Sequence, residues 1–368
     1  MYGIYNSAAL GLFCDPNLEI RLFKDSNHEK VLQARELVDK RKVEVSVVVD
    51  TDKKFADIDI LTKVKIRENN KCHTGLARIQ HAHSNITYIE RDGRVLYQKE
   101  SKIEEEINQD SKELSTMSIS DMLHLVETLS DDDKKFIAYG ITMNEHASEV
   151  GLDKKLGLGI GYNLERLIKE RTLSYDMINQ AKIKAASGVD ARMSGYDVSV
   201  MATSGSGNQG LTAILPIVAV AEELGRDEEK LIKAVTLSHL ITAYISYYSG
   251  ELSAFCGCGA KAGIGATSGI VYYLGGNEEK INDAINNMAA SIPGMICDGA
   301  KVGCAEKISL AAETAVQSAL LAMKGVKVPS DNGIVAERAE DTMRNIGKVS
   351  EGMTSTDKYI VEIMESKS

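Results

Sequence analysis

The spacing of apolar residues changes once along this chain, and that change restricts its fold more than any other feature. Between about residues 40 and 100, apolar side chains alternate with polar ones, which is typical of β-strands. From Ser118 onward they recur with the period of an α-helix almost to the end of the chain. Strands followed by a long run of helices predict an α+β protein. We therefore expect a small N-terminal antiparallel-sheet domain at residues 1–115 and a larger all-α helical domain at residues 116–368.

The N-terminal region is predicted to combine one helix with several antiparallel strands. The segment HEKVLQARELVD, which ends at Asp39, has the apolar spacing of a short amphipathic helix. Five stretches of alternating polarity are predicted strands: 42–50, 56–68, 72–81, 86–93 and 94–98. The last two are joined at Asp92-Gly93, a dipeptide typical of hairpin turns. The charged stretch 99–113 has almost no apolar periodicity and is predicted to be a linker or an exposed helix start.

Composition and charge exclude several classes of protein. The chain has 30 Gly, 5 Phe and no Trp, which predicts helices packed closely through small residues. The net charge is −10 and no long run of Lys or Arg is present, so a nucleic-acid partner is not expected. The N-terminus does not resemble a secretory signal, and no uncharged apolar stretch reaches about 18 residues, so no membrane association is expected. We expect a cytoplasmic protein whose six cysteines are reduced and whose clustered cysteines bind a metal or take part in catalysis.

The sequence GSGNQG (205–210) matches the dinucleotide fingerprint G-x-G-x-x-G. The strand-like DVSVMAT precedes it and the helical LTAILPIVAVAEEL follows it. The fingerprint requires a βαβ unit, but after Gly225 comes another helix, without a second strand or an acidic residue at a strand end. We therefore favour a glycine-rich helix entry whose free N–H groups bind an anion such as a substrate carboxylate.

Four of the six cysteines lie in a glycine-rich part of the helical region: Cys256, Cys258, Cys297 and Cys304. Their spacing is not that of a zinc ribbon, because no C-x₂-C knuckle is present. Cysteines on separate loops or helix ends can meet around one metal centre, and thiolates select iron–sulfur clusters or zinc. Small cysteines buried in a tightly packed bundle are an equally good interpretation of the spacing alone. The isolated Cys14 and Cys72 are predicted to be structural or incidental.

Two histidines, His81 and His83, stand two positions apart between predicted strands and are followed by Ser84 and Asn85. Side chains at alternate positions of a strand share one face, as a metal-ligand pair or a general base requires. An exposed strand end with two solvated histidines is the simpler interpretation.

Three segments of the helical region resemble one known family. They are TSGSGNQGLTAILPIVAVAEELG (203–225), FCGCGAKAGIGATSGIVYYLGG (255–276) and NMAASIPGMICDGAKVGCAEKISLA (287–311). They resemble the L-cysteine desulfidase family, a branch of the iron–sulfur L-serine dehydratase superfamily, and GMICDGAKVGC is the most specific stretch. HAHSNITYIERDG is similar to the family's substrate-side S-H-T-N-I strand, so the resemblance covers nearly the whole chain from about Ser26.

The resemblance implies a lyase that breaks L-cysteine down to pyruvate, ammonia and sulfide by α,β-elimination. It also implies a [4Fe–4S] cluster that is held by three cysteines. Pyridoxal phosphate is not expected. The matching cluster ligands are Cys256 or Cys258, Cys297 and Cys304. The matching substrate-binding residues are Ser204, Ser206 and Asn208, with Ser84 and Asn85 facing the amino-acid substrate from the other domain. The candidate catalytic residues are His83 and Lys301, the latter either pairing with the substrate carboxylate or tuning the cluster.

The sequence departs from the family pattern near its N-terminus. The G-C-T-E-P motif, whose cysteine is thought to serve the cluster, is absent, and Cys14 in FCDPN does not replace it. Three hypotheses therefore stand: an L-cysteine desulfidase, an L-serine dehydratase that forms pyruvate and ammonia, and a truncated non-catalytic family member. The residues do not separate cysteine from serine, because the two leaving atoms differ by one element. A homo-oligomer is expected from the habit of the family.

Overall fold

The computed structural model describes residues 4–46, 59–69, 71–81, 84–99, 111–250 and 253–367. They form two units, of which the first contains the described residues up to 99 and the second those from 111 onward. The first unit contains an antiparallel sheet and two helices, and the second is helical. The α+β class is therefore confirmed. The boundary between residues 115 and 116 stays a prediction.

Two helices of the first unit pack against each other. Helix α1 spans Ile4–Gly11 and helix α2 spans His28–Asp39, with a 3₁₀ segment, Pro16–Asp25, between them. The small apolar core around them contains buried Ala9, Leu10, Cys14 and Ala34. The Asn27 side chain caps α2 by accepting a hydrogen bond from Lys30 N at 2.9 Å. The helix predicted in this region is therefore confirmed.

The sheet is an antiparallel meander in which neighbouring strands follow the chain order. Its strands are β1 (Asp59–Glu68), β2 (Lys71–Gln80), β3 (Ile86–Arg91) and β4 (Arg94–Gln98). Between β3 and β4, Asp92 has φ 50° and Gly93 has φ 79°, and a type I′ turn requires two such positive values. The hairpin predicted from this dipeptide is confirmed, as are the predicted strands that correspond to β1–β4.

The strand predicted at 42–50 is wrong over its first half. Residues 42–46 form no strand, and the rest of the stretch lies outside the described residues. Lys42 N donates to Leu37 O at 2.9 Å, and Arg41 has a positive φ of 52°, so this stretch begins by closing the end of α2. An alternating pattern forms a strand only where another strand pairs with it, and none of the described residues does so here.

The second unit is built from a series of helices. They are α3 (Ile119–Glu127), α4 (Asp131–Lys154), α5 (Ile160–Lys169), α6 (Met177–Met193), α7 (Gly207–Glu223), α8 (Glu228–Ser249), α9 (Ile264–Tyr273), α10 (Glu278–Ala289), α11 (Cys304–Met323), α12 (Ala339–Gly352) and α13 (Thr354–Glu365). A π-helical turn, Cys258–Gly263, leads into α9. Ser130 forms a capping box at α4, and Asp227 caps α8. Within the described part of the chain, no helix is long and apolar enough to cross a membrane.

Helix α7 lies inside the core, and residues 207–221 are all buried. Its neighbours pack on one another through glycine. A Cβ on Gly265 of α9 would lie 2.4 Å from the carbonyl oxygen of Ser238 in α8. One turn later, a Cβ on Gly269 would lie 2.6 Å from the carbonyl oxygen of Ala234. Such close backbone contacts require the absence of a side chain, so the small-residue packing predicted from the composition is confirmed.

A buried carboxylate in the last turn of α6 fixes the turn before α5. Asp190 accepts backbone hydrogen bonds from Leu158 at 3.1 Å and from Gly159 and Gly161 at 3.2 Å each. Burial raises the pKa of Asp190, and these N–H groups partly offset that effect. The contacts hold the end of α6, which also carries Arg192.

We expect Asp190→Ala to lower the free energy of unfolding by about 3 kcal/mol or more, because buried N–H groups lose their acceptor. Urea unfolding followed by circular dichroism measures this change. Asp153→Ala, at an exposed position of α4, is the control and should change the free energy by less than about 0.5 kcal/mol. Equal stability of the two variants would contradict the structural role of Asp190.

Candidate active site

A glycine-rich turn precedes the buried helix α7. Ser204 has φ 46° and Gly205 has φ 73°, and this tight turn brings Ser206 to the start of the helix. The Ser206 hydroxyl caps α7 by accepting a hydrogen bond from Gln209 N at 3.4 Å. The first N–H groups of a helix carry partial positive charge and favour an anion. The start of α7 is therefore chemically suited to a carboxylate.

The strand predicted before this turn is wrong. Residues 197–202 form no strand, and Thr203 makes only an isolated bridge with Ser206. Both backbone groups of Met201 bond instead to the side chain of Asn144, at 2.7 Å through the amide oxygen and 3.3 Å through the amide nitrogen. Without a strand there is no βαβ unit, so GSGNQG does not have the frame of a dinucleotide fingerprint.

His239 of α8 holds the glycine-rich turn in place. Its Nδ1 atom lies 2.6 Å from Thr203 Oγ1. Burial lowers the pKa of His239 to about 4, so the ring is neutral at neutral pH and shares an uncharged hydrogen bond with the hydroxyl. This pair anchors the residue that immediately precedes Ser204.

Two polar atoms at the start of α7 are buried and have no hydrogen-bond partner among the described residues. They are Ser204 Oγ and Gln209 Oε1. Asn208 differs, because its Oδ1 accepts a hydrogen bond from Arg192 Nη1 at 2.9 Å. Buried polar atoms in native proteins are nearly always paired, so unpaired ones indicate where a ligand or water bonds.

Two of the cysteine-bearing segments pair with each other. Cys256 N donates to Met295 O at 2.6 Å, and Cys297 N donates to Ala254 O at 2.7 Å. These two bonds flank an isolated antiparallel bridge. Cysteines that are far apart in the sequence are thereby brought to adjacent strand-like segments.

The other two glycine-flanked cysteines begin helical elements. Cys258 starts the π-helical turn, and Cys304 starts α11. These two helical elements pack against each other, and Cys256, Cys297 and Cys304 each help to raise the pKa of Cys258. All four are free cysteines, and only Cys297 among them is partly exposed. The structure therefore brings together the four cysteines that the sequence singles out.

The surroundings shift the pKa values of three of these thiols, and not all in the same direction. A hydrogen bond from Cys258, aided by backbone N–H groups, lowers the pKa of Cys256 to about 6. The same contact, together with burial, raises the pKa of Cys258. Burial also raises the pKa of Cys297, which a backbone N–H partly offsets. Lys301 N donates to Cys304 Sγ at 3.4 Å.

Free cysteine thiols are the donor type that holds an iron–sulfur cluster. Within the described ranges, no three His, Cys, Asp or Glu side chains converge closely enough to hold one ion. In a [4Fe–4S] cluster each thiolate binds a different iron, so the ligands lie further apart than those of one ion. Mostly buried free thiols with N–H groups directed at their sulfur atoms suit that arrangement.

Two lysines hold the loop that precedes Cys304. Lys301 Nζ lies 2.8 Å from one carboxylate oxygen of Asp298. Lys307 contacts the other oxygen of Asp298 and donates to Ile296 O at 3.0 Å. Burial alone would raise the pKa of Asp298, but hydrogen bonds from the two lysines outweigh it and lower that pKa. Lys301 therefore has an ion-pair partner within its own loop.

Comparison with known proteins identifies the family. The serine dehydratase alpha chain family matches residues 52–362, which is most of the chain. This chain belongs to that family. The resemblance to the iron–sulfur L-serine dehydratase superfamily is thus confirmed at the level of the family.

Several relatives are UPF0597 proteins. The one from Caldanaerobacter subterraneus subsp. tengcongensis is 38% identical over 367 residues, covering 99% of this chain and 84% of that protein. The one from Clostridioides difficile is 40% identical over 367 residues, covering 98% of this chain and 84% of that protein. The one from Alkaliphilus metalliredigens is 43% identical over 287 residues, covering 78% of this chain and 64% of that protein.

The segment predicted to carry substrate-side residues, 81–93, begins in the turn between β2 and β3 and includes β3. Ser84 is exposed in that turn, whereas Asn85 is buried. The Asn85 side chain donates to Gln80 O at 2.8 Å and accepts from Lys99 Nζ at 3.3 Å. His83 lies outside the described residues. The roles of these residues in substrate binding and catalysis stay predictions.

Three polar residues that the structure brings to the start of α7 are not among the site residues predicted from the sequence. Gln209 lies inside the glycine-rich motif, but its importance depends on its burial. Arg192 and His239 lie on α6 and α8, and only the fold brings them to this turn. No local pattern in the sequence indicates either of them.

Proposed function

We propose that this member of the serine dehydratase alpha chain family is a carbon–sulfur lyase that converts L-cysteine to pyruvate, ammonia and sulfide. The observation that carries the proposal is the gathering of four cysteines: the segments of Cys256 and Cys297 pair with each other, and Cys258 and Cys304 begin helical elements that pack together. The family match supports a lyase acting on a small amino acid. The choice of cysteine over serine rests on the resemblance of the cysteine motifs to L-cysteine desulfidases.

A [4Fe–4S] cluster is the cofactor that these thiols suit. Cys297 and Cys304 would be two of its ligands, and either Cys256 or Cys258 would be the third. When bound, a cluster with one open iron supplies a Lewis acid for the departing thiolate or hydroxyl group. The proposal includes no pyridoxal phosphate.

The start of α7 is proposed to bind the substrate carboxylate. Ser204, Ser206 and Asn208 surround the helix N-terminus, and the Ser204 hydroxyl is buried with no partner among the described residues. The positive end of the helix dipole favours a carboxylate there. Binding at this end would orient the α-carbon for loss of its proton.

The reaction is an α,β-elimination. A base takes the α-proton, and the electron pair of the broken Cα–H bond forms the Cα–Cβ double bond. The Cβ–S bond breaks at the same time, and sulfide leaves with its electron pair. The aminoacrylate tautomerises to an imine, which water hydrolyses to pyruvate and ammonia. His83 and Lys301 are the catalytic candidates. The ion pair with Asp298 favours an electrostatic role for Lys301 rather than proton abstraction.

The second candidate function is an L-serine dehydratase, which the description of the matching family favours. The same elimination then breaks a Cβ–O bond and releases water. We also propose a cytoplasmic location, where free thiols stay reduced, and a homo-oligomer that binds neither nucleic acid nor membrane.

The test is anaerobic reconstitution with iron and sulfide, followed by assays with L-cysteine and L-serine under identical conditions. We expect about four irons per chain and faster release of sulfide from L-cysteine than of pyruvate from L-serine. Faster reaction of L-serine would replace the proposal with the dehydratase. Little iron and no turnover would favour the non-catalytic hypothesis, and a full cluster without turnover of either amino acid would contradict both lyases.

A further inference from the structure

Gln209 is a buried amide whose carbonyl has no partner. The residue is 4% exposed, and its Oε1 makes no hydrogen bond to any described residue. The amide lies against the cysteine loop, because a Cβ on Gly257 would lie 2.9 Å from Gln209 Nε2. Burial of an amide without a partner is costly, so this position is suited to a ligand that supplies a donor.

Arg192 reaches the same end of α7 from the last turn of α6. Its Nη1 donates to Asn208 Oδ1 at 2.9 Å, and its Nε would lie 2.5 Å from a Cβ on Gly207. The absence of a side chain at Gly207 therefore leaves room for the guanidinium. Burial lowers the pKa of Arg192, and the thiols of Cys258 and Cys304 oppose that effect.

Arg192 has no carboxylate partner within the part of the chain that the structure describes. Other arginines of the helical unit do: Arg226 contacts Glu145 and Glu228, and Arg344 lies 2.7 Å from Asp341. A guanidinium has five N–H donors in a planar fork that matches a carboxylate. Because Asn208 is the only oxygen acceptor that it contacts among the described residues, most of this fork is available to an anion.

We propose that Arg192 pairs with the α-carboxylate of the substrate and that Gln209 Oε1 accepts a hydrogen bond from its α-ammonium group. The Arg192 guanidinium, which has no carboxylate partner among the described residues, would pair with the substrate carboxylate. Gln209 Oε1, which has no donor among them, would pair with the substrate ammonium. Asn208 positions the guanidinium of Arg192. The positive end of the α7 dipole attracts the carboxylate in addition to this guanidinium. The inference rests on the proposed function, since it takes the ligand to be an α-amino acid.

The test uses the full-length reconstituted protein and three ligands that cannot undergo elimination. L-Alanine carries both groups, ethylamine lacks the carboxylate, and propionate lacks the ammonium. Dissociation constants come from ligand-detected NMR titration, and iron is measured in every sample. Arg192→Met should weaken L-alanine binding by about 10- to 100-fold and leave ethylamine binding unchanged. Gln209→Met should weaken L-alanine and ethylamine by about 10-fold and leave propionate unchanged.

Arg166→Met is the matched control, because Arg166 is an exposed arginine that pairs with Glu170 and should leave all three affinities unchanged. Arg192→Lys keeps the charge without the fork and should restore part of the L-alanine affinity. Arg192→Lys also serves as the test variant if Arg192→Met fails to assemble a cluster. A weaker preference of Arg192→Lys for L-alanine over ethylamine then supports the proposal.

Two outcomes overturn the inference alone. One is an unchanged preference for L-alanine over ethylamine in iron-loaded Arg192 variants. The other is a Gln209→Met variant that loses iron but still prefers L-alanine over propionate as strongly as the unchanged protein does. That result would assign the amide to the cluster. If the unchanged protein binds no amino acid and turns over neither L-cysteine nor L-serine, the proposed function fails as well.

Discussion

Cys304→Ser should leave the reconstituted protein without a stable cluster and reduce release of sulfide from L-cysteine by at least about 100-fold. Cys304 is the first residue of α11, and its Sγ accepts a hydrogen bond from Lys301 N at 3.4 Å. The surrounding backbone therefore fixes the position of this sulfur. A serine hydroxyl is a poor substitute for a thiolate as an iron ligand. Iron and acid-labile sulfide per chain, together with sulfide release, measure the effect.

Cys72→Ser is the matched control, because Cys72 is an exposed cysteine in β2 and should be replaceable without loss of iron. Full iron content and turnover in Cys304→Ser would contradict the proposed ligand set. The pair Cys256→Ser and Cys258→Ser resolves which of these two thiols serves the cluster. We expect one of these variants to keep its iron and the other to lose it.

The parts of the fold that depend on neighbouring residues could be predicted from the sequence. Ser130 and Asp227 begin helices because their side chains accept hydrogen bonds from backbone groups three positions later. The turn at Asp92-Gly93 follows from two residues that tolerate positive φ. In each case the sequence contains both partners of the interaction within a few positions.

The two wrong strands show where local patterns are insufficient. Alternating apolar residues at 42–46 and 197–202 resemble strands, yet no described strand pairs with them. At the second stretch, the side chain of Asn144 binds both backbone groups of Met201. Asn144 lies in α4, far from Met201 in the sequence, so only the tertiary fold shows that it replaces a strand partner.

The site divides in the same way. Cysteine motifs with flanking glycines are recognisable in the sequence, and the structure brings Cys256, Cys258, Cys297 and Cys304 together. Arg192 has no such signal, because an arginine in a helix normally lies on a solvated face. Its significance comes from three non-local facts, which are its partial burial, its bond to Asn208 and the absence of a carboxylate partner among the described residues.

Gly210 is the position in α7 where one added methyl group should have the largest effect on stability. A Cβ there would lie 1.9 Å from Met201 O and 2.8 Å from Met201 C. The Met201 backbone cannot move away without breaking both of its hydrogen bonds to Asn144. Helix α7 cannot shift either, because its residues 207–221 are all buried against neighbouring elements.

We therefore expect Gly210→Ala to lower the free energy of unfolding by more than about 3 kcal/mol or to prevent folding of the helical unit. Gly352→Ala is the control, because no atom of the described residues beyond its chain neighbours and its own helix backbone lies within 4 Å of its Cβ position at the end of α12. That substitution should be neutral or should stabilise the helix by up to about 1 kcal/mol. Urea unfolding followed by helical circular dichroism compares the two variants. Equal midpoints would show that the glycine-rich turn can move away from α7, and its rigid placement beside the substrate site would then be wrong.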